Sequence, residues 1–212
     1  MSKMTDIAVI GLTGQSGAGK TTVSKVFSEN GFVIINADAI AREIMNKDTP
    51  CLKEVTECFG KGILKGDGEL NRQKLADIVF NDDEKLKQLN AISYPYITFE
   101  ILKKIKAFAQ EGERFVLLDA PTLFESRADD FCDLIISVVA TEKVRSARIA
   151  ERDGLTAEQI KDRFSSQHTE KFFVNHSDFI IKNNKSLDSL VEKAQEVAEK
   201  VKEYYNNAEE AW

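Results

Sequence analysis

Cysteine is scarce in this chain. Its three copies, Cys51, Cys58 and Cys132, are odd in number and form no CxxC pair, which excludes a disulfide scaffold and gives no zinc site. Histidine is scarcer still, with His168 and His176 alone, too few for a His-rich metal site. There is no basic surplus: 29 Lys and Arg stand against 35 Asp and Glu, for a formal net charge of −6. Proteins that grip long nucleic acid carry such a surplus, so nucleic acid is not an expected partner. A small anion can still bind where basic groups cluster locally. No apolar run approaches the roughly 18 residues of a membrane span. The start, MSKMTDIAVIGLTG, has too short an apolar stretch for a secretory signal. The expected location is therefore cytoplasmic, away from membranes. Internal repeats and low-complexity linkers are missing too.

What remains is an ordinary globular composition, 42% hydrophobic and 30% charged over 212 residues. That is enough for one buried core and a small appended region. Short apolar runs alternate with amphipathic helical patterns, which predicts an α/β fold with a mainly parallel sheet. The strand candidates are Ile7–Leu12, Phe32–Ile35, Phe115–Leu118, Leu134–Val139 and Phe179–Ile181. Positions 37 to 114 separate the second strand from the third and read as mostly helical, with Leu75, Ile78 and Val79, then Ile97, Ile101, Leu102, Ile105 and Phe108 at helical spacing. That exceeds the needs of one crossover helix. A helical insertion over 50–112 is expected, forming one wall of a cleft. The last helix has a stripe from Leu187 to Val201 with Ser186 as its N-cap. The tail NNAEEAW, ending at Trp212, is expected to be frayed.

The chemistry begins after the first strand. Gly14-Gln15-Ser16-Gly17-Ala18-Gly19-Lys20-Thr21 fits G-x-x-x-x-G-K-[ST], with a strand before it and a helical pattern after it. Glycines let several N–H groups turn inward, and the helix that follows points its positive end at the same spot. Lys20 adds a full charge near the β and γ phosphates. The Thr21 hydroxyl is a Mg²⁺ ligand candidate, and Thr22 completes the loop. The loop is expected to hold a nucleoside triphosphate. Asn46-Lys47-Asp48-Thr49 and Asn184-Lys185-Ser186-Leu187 both lack the fourth-position Asp of a guanine motif. A switch GTPase thus has no support, and a small-molecule kinase suits the size best.

Acids end two strands. Asp38, in VIINADAIARE, follows the second strand, where ligands of open α/β sheets gather. Its carboxylate could take a proton from an acceptor hydroxyl or orient it; a plain helix N-cap is the alternative. Arg42, one turn on, could pair with Asp38 or meet a substrate phosphate. Asp119, in FVLLDAPTLFES, follows four apolar residues, the Walker-B pattern of a carboxylate near Mg²⁺. Glu125 could reach the same cleft or lie in solvent.

Between Glu142 and Gln167, Arg145, Arg148 and Arg152 share a side at helical spacing. Asp153-Gly154 breaks that helix, and Thr156 to Gln159 restarts it as a capping box. Arg163 and Gln167 are expected on one face of the second helix. An arginine-bearing helical hairpin is what a lid over ATP requires, although a solvated charged face looks similar. Arg148 and Arg152 are the leading candidates.

Taken in order, GLTGQSGAGKTT, NADAIARE, LNAISYP, LLDAPTLFE, RIAERDGLTAEQ and IIKNNKSLDSL resemble the blocks of dephospho-coenzyme A kinases, from about Ile7 to Leu190. The resemblance implies a P-loop kinase core with a five-stranded parallel sheet flanked by helices, a helical substrate domain and a lid. The corresponding regions are a core over 1–49, 113–147 and 177–212, an acceptor-binding insertion over 50–112 and a lid over 148–176. It implies ATP as co-substrate, Mg²⁺, and transfer of the γ-phosphoryl to the 3′-hydroxyl of dephospho-coenzyme A, the last step in making coenzyme A. By position, Asp38 matches the acid that activates the hydroxyl. Gly14 to Thr22 match the ATP loop, Arg148 and Arg152 match phosphate-contacting lid arginines, and Pro121, Leu123 and Phe124 match the acceptor-pocket segment. Two positions depart from the family pattern. Asn36 stands where an Asp is frequent, and Tyr94, before Pro95, stands where His is usual; Tyr is a weaker acid and base near neutral pH. A nucleoside monophosphate kinase, or a nucleotide-binding regulatory protein without catalysis, are the alternatives.

Overall fold

A computed structural model describes residues 7–79 and 82–210; Trp212 lies outside them. Five strands form one sheet: β1 (Ala8–Gly14), β2 (Val33–Asn36), β3 (Phe115–Asp119), β4 (Leu134–Val139) and β5 (Phe179–Lys182), in the order β2-β3-β1-β4-β5. β1 pairs in parallel with β3 and β4, and β4 with β5. β1 and β3 are buried along their whole length, the reason their sequences are nearly continuous in apolar residues instead of alternating. Each expected strand appears within about two residues. The largest shift is at β1, which continues through Thr13 and Gly14 because both still pair with β4. A glycine carries no apolar signal from which that extension could be read.

One face of the sheet supplies Ile10, Leu12, Leu117, Ile136, Val138 and Ile181 to the main core. Against it pack α1 (Lys20–Glu29), through Val23, Val26 and Phe27, and α9 (Leu187–Glu210), through Leu190, Ala194, Ala198 and Val201. Ala194 and Ala198 are one helical turn apart and fully buried, which lets α9 lie close to α1. Truncating a fully buried ring such as Phe27 to Ala would cost about 3–5 kcal/mol. Ser186 caps α9 through Ser189 N at 3.3 Å, as expected. The helix does not fray at Asn206 but continues to Glu210. Tyr205 explains the added order: its ring meets Phe115 edge-on at 6.1 Å and extends the buried stripe by one turn.

After β4 come α6 (Glu142–Asp153), α7 (Ala157–Ser165) and α8 (Glu170–Asn175). Gly154, at φ +66°, ends α6, and a capping box of Thr156 and Gln159 starts α7, as their sequence predicts.

The described residues fall into two compact units: one comprising the chain up to Ile35 and from Phe108 onward, the other Asn36–Ala107. The second unit contains α2 (Ala37–Glu43), α3 (Pro50–Phe59), α4 (Arg72–Val79) and most of α5 (Asp83–Gln110). Its own apolar centre includes Ile40, Leu52, Val55, Ile63, Leu75 and Ile101. Thr49 caps α3 and Pro50 occupies its first turn, where the missing N–H costs nothing. Among the described residues no helix is long and apolar enough to cross a membrane.

Candidate active site

The loop from Gly14 to Thr21 joins β1 to α1. Gly14 has φ +149°, and a Cβ there would stand 2.2 Å from the Val138 carbonyl oxygen; at Gly19, φ is +103° and a Cβ would stand 2.5 Å from Asn183 Nδ2. Glycine is thus required twice, by conformation and by contact. Gln15 N donates to Val138 O at 3.2 Å and Ala18 N to Gln15 O at 3.0 Å. Ser16 N donates to the side-chain oxygen of Gln167 at 3.2 Å. Among the described residues, the N–H groups of Gly17, Gly19, Lys20 and Thr21 have no protein acceptor. Four N–H groups without a protein acceptor, in the loop and the first turn of a ten-residue helix, make an anion site.

Lys20 forms an ion pair with Asp119 at the end of β3. Asp119 is 4% exposed, so the sheet holds this carboxylate out of water and beside the loop. Thr21 is exposed and Thr22 half-buried. The Thr21 hydroxyl and the Asp119 carboxylate are hard oxygen donors of the kind Mg²⁺ takes, alongside phosphate oxygens and water. No group of three or more His, Cys, Asp or Glu among the described residues could hold a metal by itself.

The arginines of α6 separate into different environments. Arg145 is buried: its Nε donates to Ala140 O at 3.1 Å, and its guanidinium lies 3.9 Å from the centre of the Phe164 ring. Burial holds its pKa below the usual arginine value. It ties α6 to α7 as a structural group. Arg148 reaches the loop, donating to Gly17 O at 3.4 Å, Asn183 O at 3.3 Å and Asn183 Oδ1 at 3.1 Å. Arg152 is exposed and bonded to Asp153, which Arg163 also engages at 2.7 Å. Those two guanidinium groups, Arg152 first, hold the Asp153 carboxyl well below the usual carboxylate range. Gln167 does not share a helical face with Arg163, because α7 ends at Ser165; it lies beyond the helix, against Ser16.

Pro121, Leu123 and Phe124 follow β3. The Pro121 carbonyl accepts from Thr13 Oγ1 at 3.2 Å. Leu123 is fully buried and lies beneath Gly11, so it is a core residue in this conformation. Phe124 meets Phe172 edge-on at 5.2 Å, and Phe172 is stacked between His168 and His176. Glu125 is solvent-exposed, with His168 Nε2 3.5 Å away.

In the second unit Asp38 is exposed in the first turn of α2. It is not the cap. Asn36 is, its side-chain oxygen accepting from Ala39 N at 2.8 Å. Among the described residues no ion pair joins Arg42 to Asp38; Arg42 is exposed, and its carbonyl accepts from Arg72 at 3.0 Å. Tyr94 is half-buried within α5. Two residues on, the Tyr96 hydroxyl donates to Glu54 at 2.5 Å, which pushes the phenol up to about 12. Ile44, Cys51, Pro95, Tyr96 and Phe99 line a cavity of about 500 Å³ in this unit. A second cavity, of about 340 Å³, lies beside the loop in the first unit, lined by Gly19, Thr22, Arg148, Asn183, Leu187 and Leu190.

With this geometry, comparison with known proteins is decisive. The model of the dephospho-CoA kinase family matches residues 8–189. The chain belongs to the dephospho-CoA kinase family. It is 40% identical over 179 residues to a dephospho-CoA kinase of Listeria innocua, covering 84% of this chain and 90% of the relative. It is 38% identical over 196 residues to one of Carboxydothermus hydrogenoformans, covering 92% and 95%. The solved dephospho-CoA kinase of Campylobacter jejuni is similar at a TM-score of 0.62 and 26% identity, covering 93% of this chain and 98% of that one.

As a dephospho-CoA kinase family member, the chain makes loop contacts that its sequence motifs do not reveal. Asn183 and Gln167 each touch the loop through a side-chain amide, yet no regular spacing marks either. Asn183 was reachable by one rule: it stands directly after β5, at the strand ends where ligand sites of this architecture collect. Gln167 had no usable signal, since its contact depends on how the chain turns after α7.

Proposed function

We propose that this chain transfers the γ-phosphoryl group of ATP to the 3′-hydroxyl of dephospho-CoA. What carries the reading is the cradle after β1, four unpartnered N–H groups and Lys20, in a chain of this family. The N–H groups and the Lys20 ammonium hold the triphosphate by charge-assisted hydrogen bonds. The cavity lined by Leu187 and Leu190 gives the adenine ring an apolar seat beside the loop. Thr21 and Asp119 are the residues that would hold Mg²⁺, which supplies charge neutralisation at the phosphate oxygens. Arg148 and Arg152 act on the phosphates from a lid over 148–176, and Arg152 leaves Asp153 to do so.

Asp38 is the general base. The acceptor oxygen forms a bond to the γ-phosphorus as the bond from that phosphorus to the β-bridging oxygen breaks; the hydroxyl proton goes to the Asp38 carboxylate and ADP leaves. Arg42 and Tyr94 serve acceptor binding in the second unit, and Pro121, Leu123 and Phe124 serve it in the first. The cavity of about 500 Å³ is apolar enough to receive the pantetheine arm. A coupled ADP-release assay tests the reading: turnover with dephospho-CoA is expected. No turnover with it, alongside turnover on a nucleoside monophosphate, overturns it.

A further inference from the structure

We propose that Asn183 is a positioning residue: it fixes Arg148 against the phosphate loop with neutral oxygens and so leaves the guanidinium charge free for the triphosphate. The inference rests on the reading that Arg148 contacts that triphosphate.

Asn183 follows β5 and is 4% exposed. Its backbone N–H continues the ladder to Val139 O at 2.8 Å, so the residue is fixed by the sheet. Its amide then points to both sides. Nδ2 donates to Ala18 O at 2.7 Å, within the loop, and Oδ1 accepts from Arg148 at 3.1 Å. Its own carbonyl accepts from Arg148 at 3.3 Å. The glycine at position 19 is what admits the amide, since a Cβ there would stand 2.5 Å from Nδ2 and 3.0 Å from Leu190. Every strong hydrogen-bonding group of Asn183 thus joins β4, the loop and α6.

The charge pattern gives the arrangement its consequence. Arg152 and Arg163 share the Asp153 carboxylate. Arg145 is packed on Phe164. Arg148 has three oxygen partners, all of them neutral carbonyls, and among the described residues no carboxylate pairs with it. A guanidinium held by carbonyls has its direction set while its charge stays uncompensated. A carboxylate in the same place would set the direction as well but cancel the charge. An amide is the side chain of this shape that also donates to the loop, which a carboxylate cannot do.

Asn183→Asp changes charge at constant shape. It places a carboxylate against Arg148 and removes the donor to Ala18 O. The expected result is a fall in kcat/KM for ATP of about 10²-fold, the size found when one transition-state donor is lost. KM for dephospho-CoA should stay within about two-fold, a split that a general loss of structure does not produce. Asn183→Ser is the second variant; it deletes both contacts without adding charge, and a smaller fall is expected. Arg148→Ala should match the Asp variant, and Arg148→Ala/Asn183→Asp should be no worse than either alone, because both act through one group.

The inference is overturned if Asn183→Asp retains the parent parameters for ATP. It is also overturned if the two losses multiply in the double variant, or if both Michaelis constants rise together with a matching drop in Tm. Impairment in Arg148→Ala with none in either Asn183 variant removes the role of Asn183 and leaves that of Arg148. A silent Arg148→Ala removes both. Absence of dephospho-CoA turnover in the parent would instead strike the proposed function.

Discussion

Lys20→Ala should destabilise the protein before any nucleotide is added. Asp119 is 4% exposed, and its partner is the Lys20 ammonium. Deleting that ammonium leaves a carboxylate buried at the end of β3 without its cation. Removing one member of a buried ion pair costs about 3–5 kcal/mol. The Lys20 side chain is itself 17% exposed, so water can enter the space it vacates, and the lower end, about 3 kcal/mol, is expected. For a chain of this length each kcal/mol moves Tm by about 2–4 °C, which places the drop at about 6–12 °C. Circular dichroism melts at neutral pH without nucleotide measure it. Lys20→Ala/Asp119→Asn removes both charges and should recover most of the loss, because the cost lies in the unpaired charge and not in the missing contact. Melting of Lys20→Ala within about 1 °C of the parent would refute this, as would a double variant that loses the sum of the two single effects. Either outcome would mean that the ammonium does not lie on Asp119 in solution.

Further outcomes are expected. Asp38→Asn should lower kcat for dephospho-CoA by about 10²–10⁴-fold while KM for ATP is kept, if it is the base; steady-state kinetics with both substrates varied decide this, and an unchanged kcat assigns proton handling elsewhere. Asn36→Ala should remove the cap of α2 at about 1 kcal/mol, seen as a lower Tm, whereas Asn36→Asp, an equally good cap, should melt with the parent. The thiols should separate in an aromatic-disulfide titration at pH 8. Cys58 is exposed and should react quickly in the folded state, while Cys51 and Cys132 wait for denaturant. Burial pushes Cys51 up to about 11 and Cys132 up to about 12, so at pH 8, well below both, neither is a reactive thiolate; three fast thiols in the native protein would contradict the packing around β1 and α3.

The local sequence determined a good deal. Short apolar runs located all five strands, because a strand buried on both faces leaves an uninterrupted signature, as in FVLLD. The loop motif, the Gly154 break and the Thr156 capping box depend on backbone angles and contacts only a few residues apart, and all were legible. Asn36, at a position where the resemblance leads one to expect Asp, turned out to cap α2, a role that also spans three residues. Tertiary structure decided the partners. Arg145, Arg148 and Arg152 are alike in sequence, but the ring of Phe164, the carbonyls of Gly17 and Asn183, and the carboxylate of Asp153 give them three different roles. Leu123, in the segment that the resemblance assigns to the acceptor pocket, is fully buried; Gln167 looked like a helical neighbour of Arg163 and instead accepts from a loop amide. Periodicity fixes which side of an element a residue is on. It does not say which residue folding brings to that side: Gly17 reaches Arg148 from 131 positions away in the chain and Gln167 reaches Ser16 from 151.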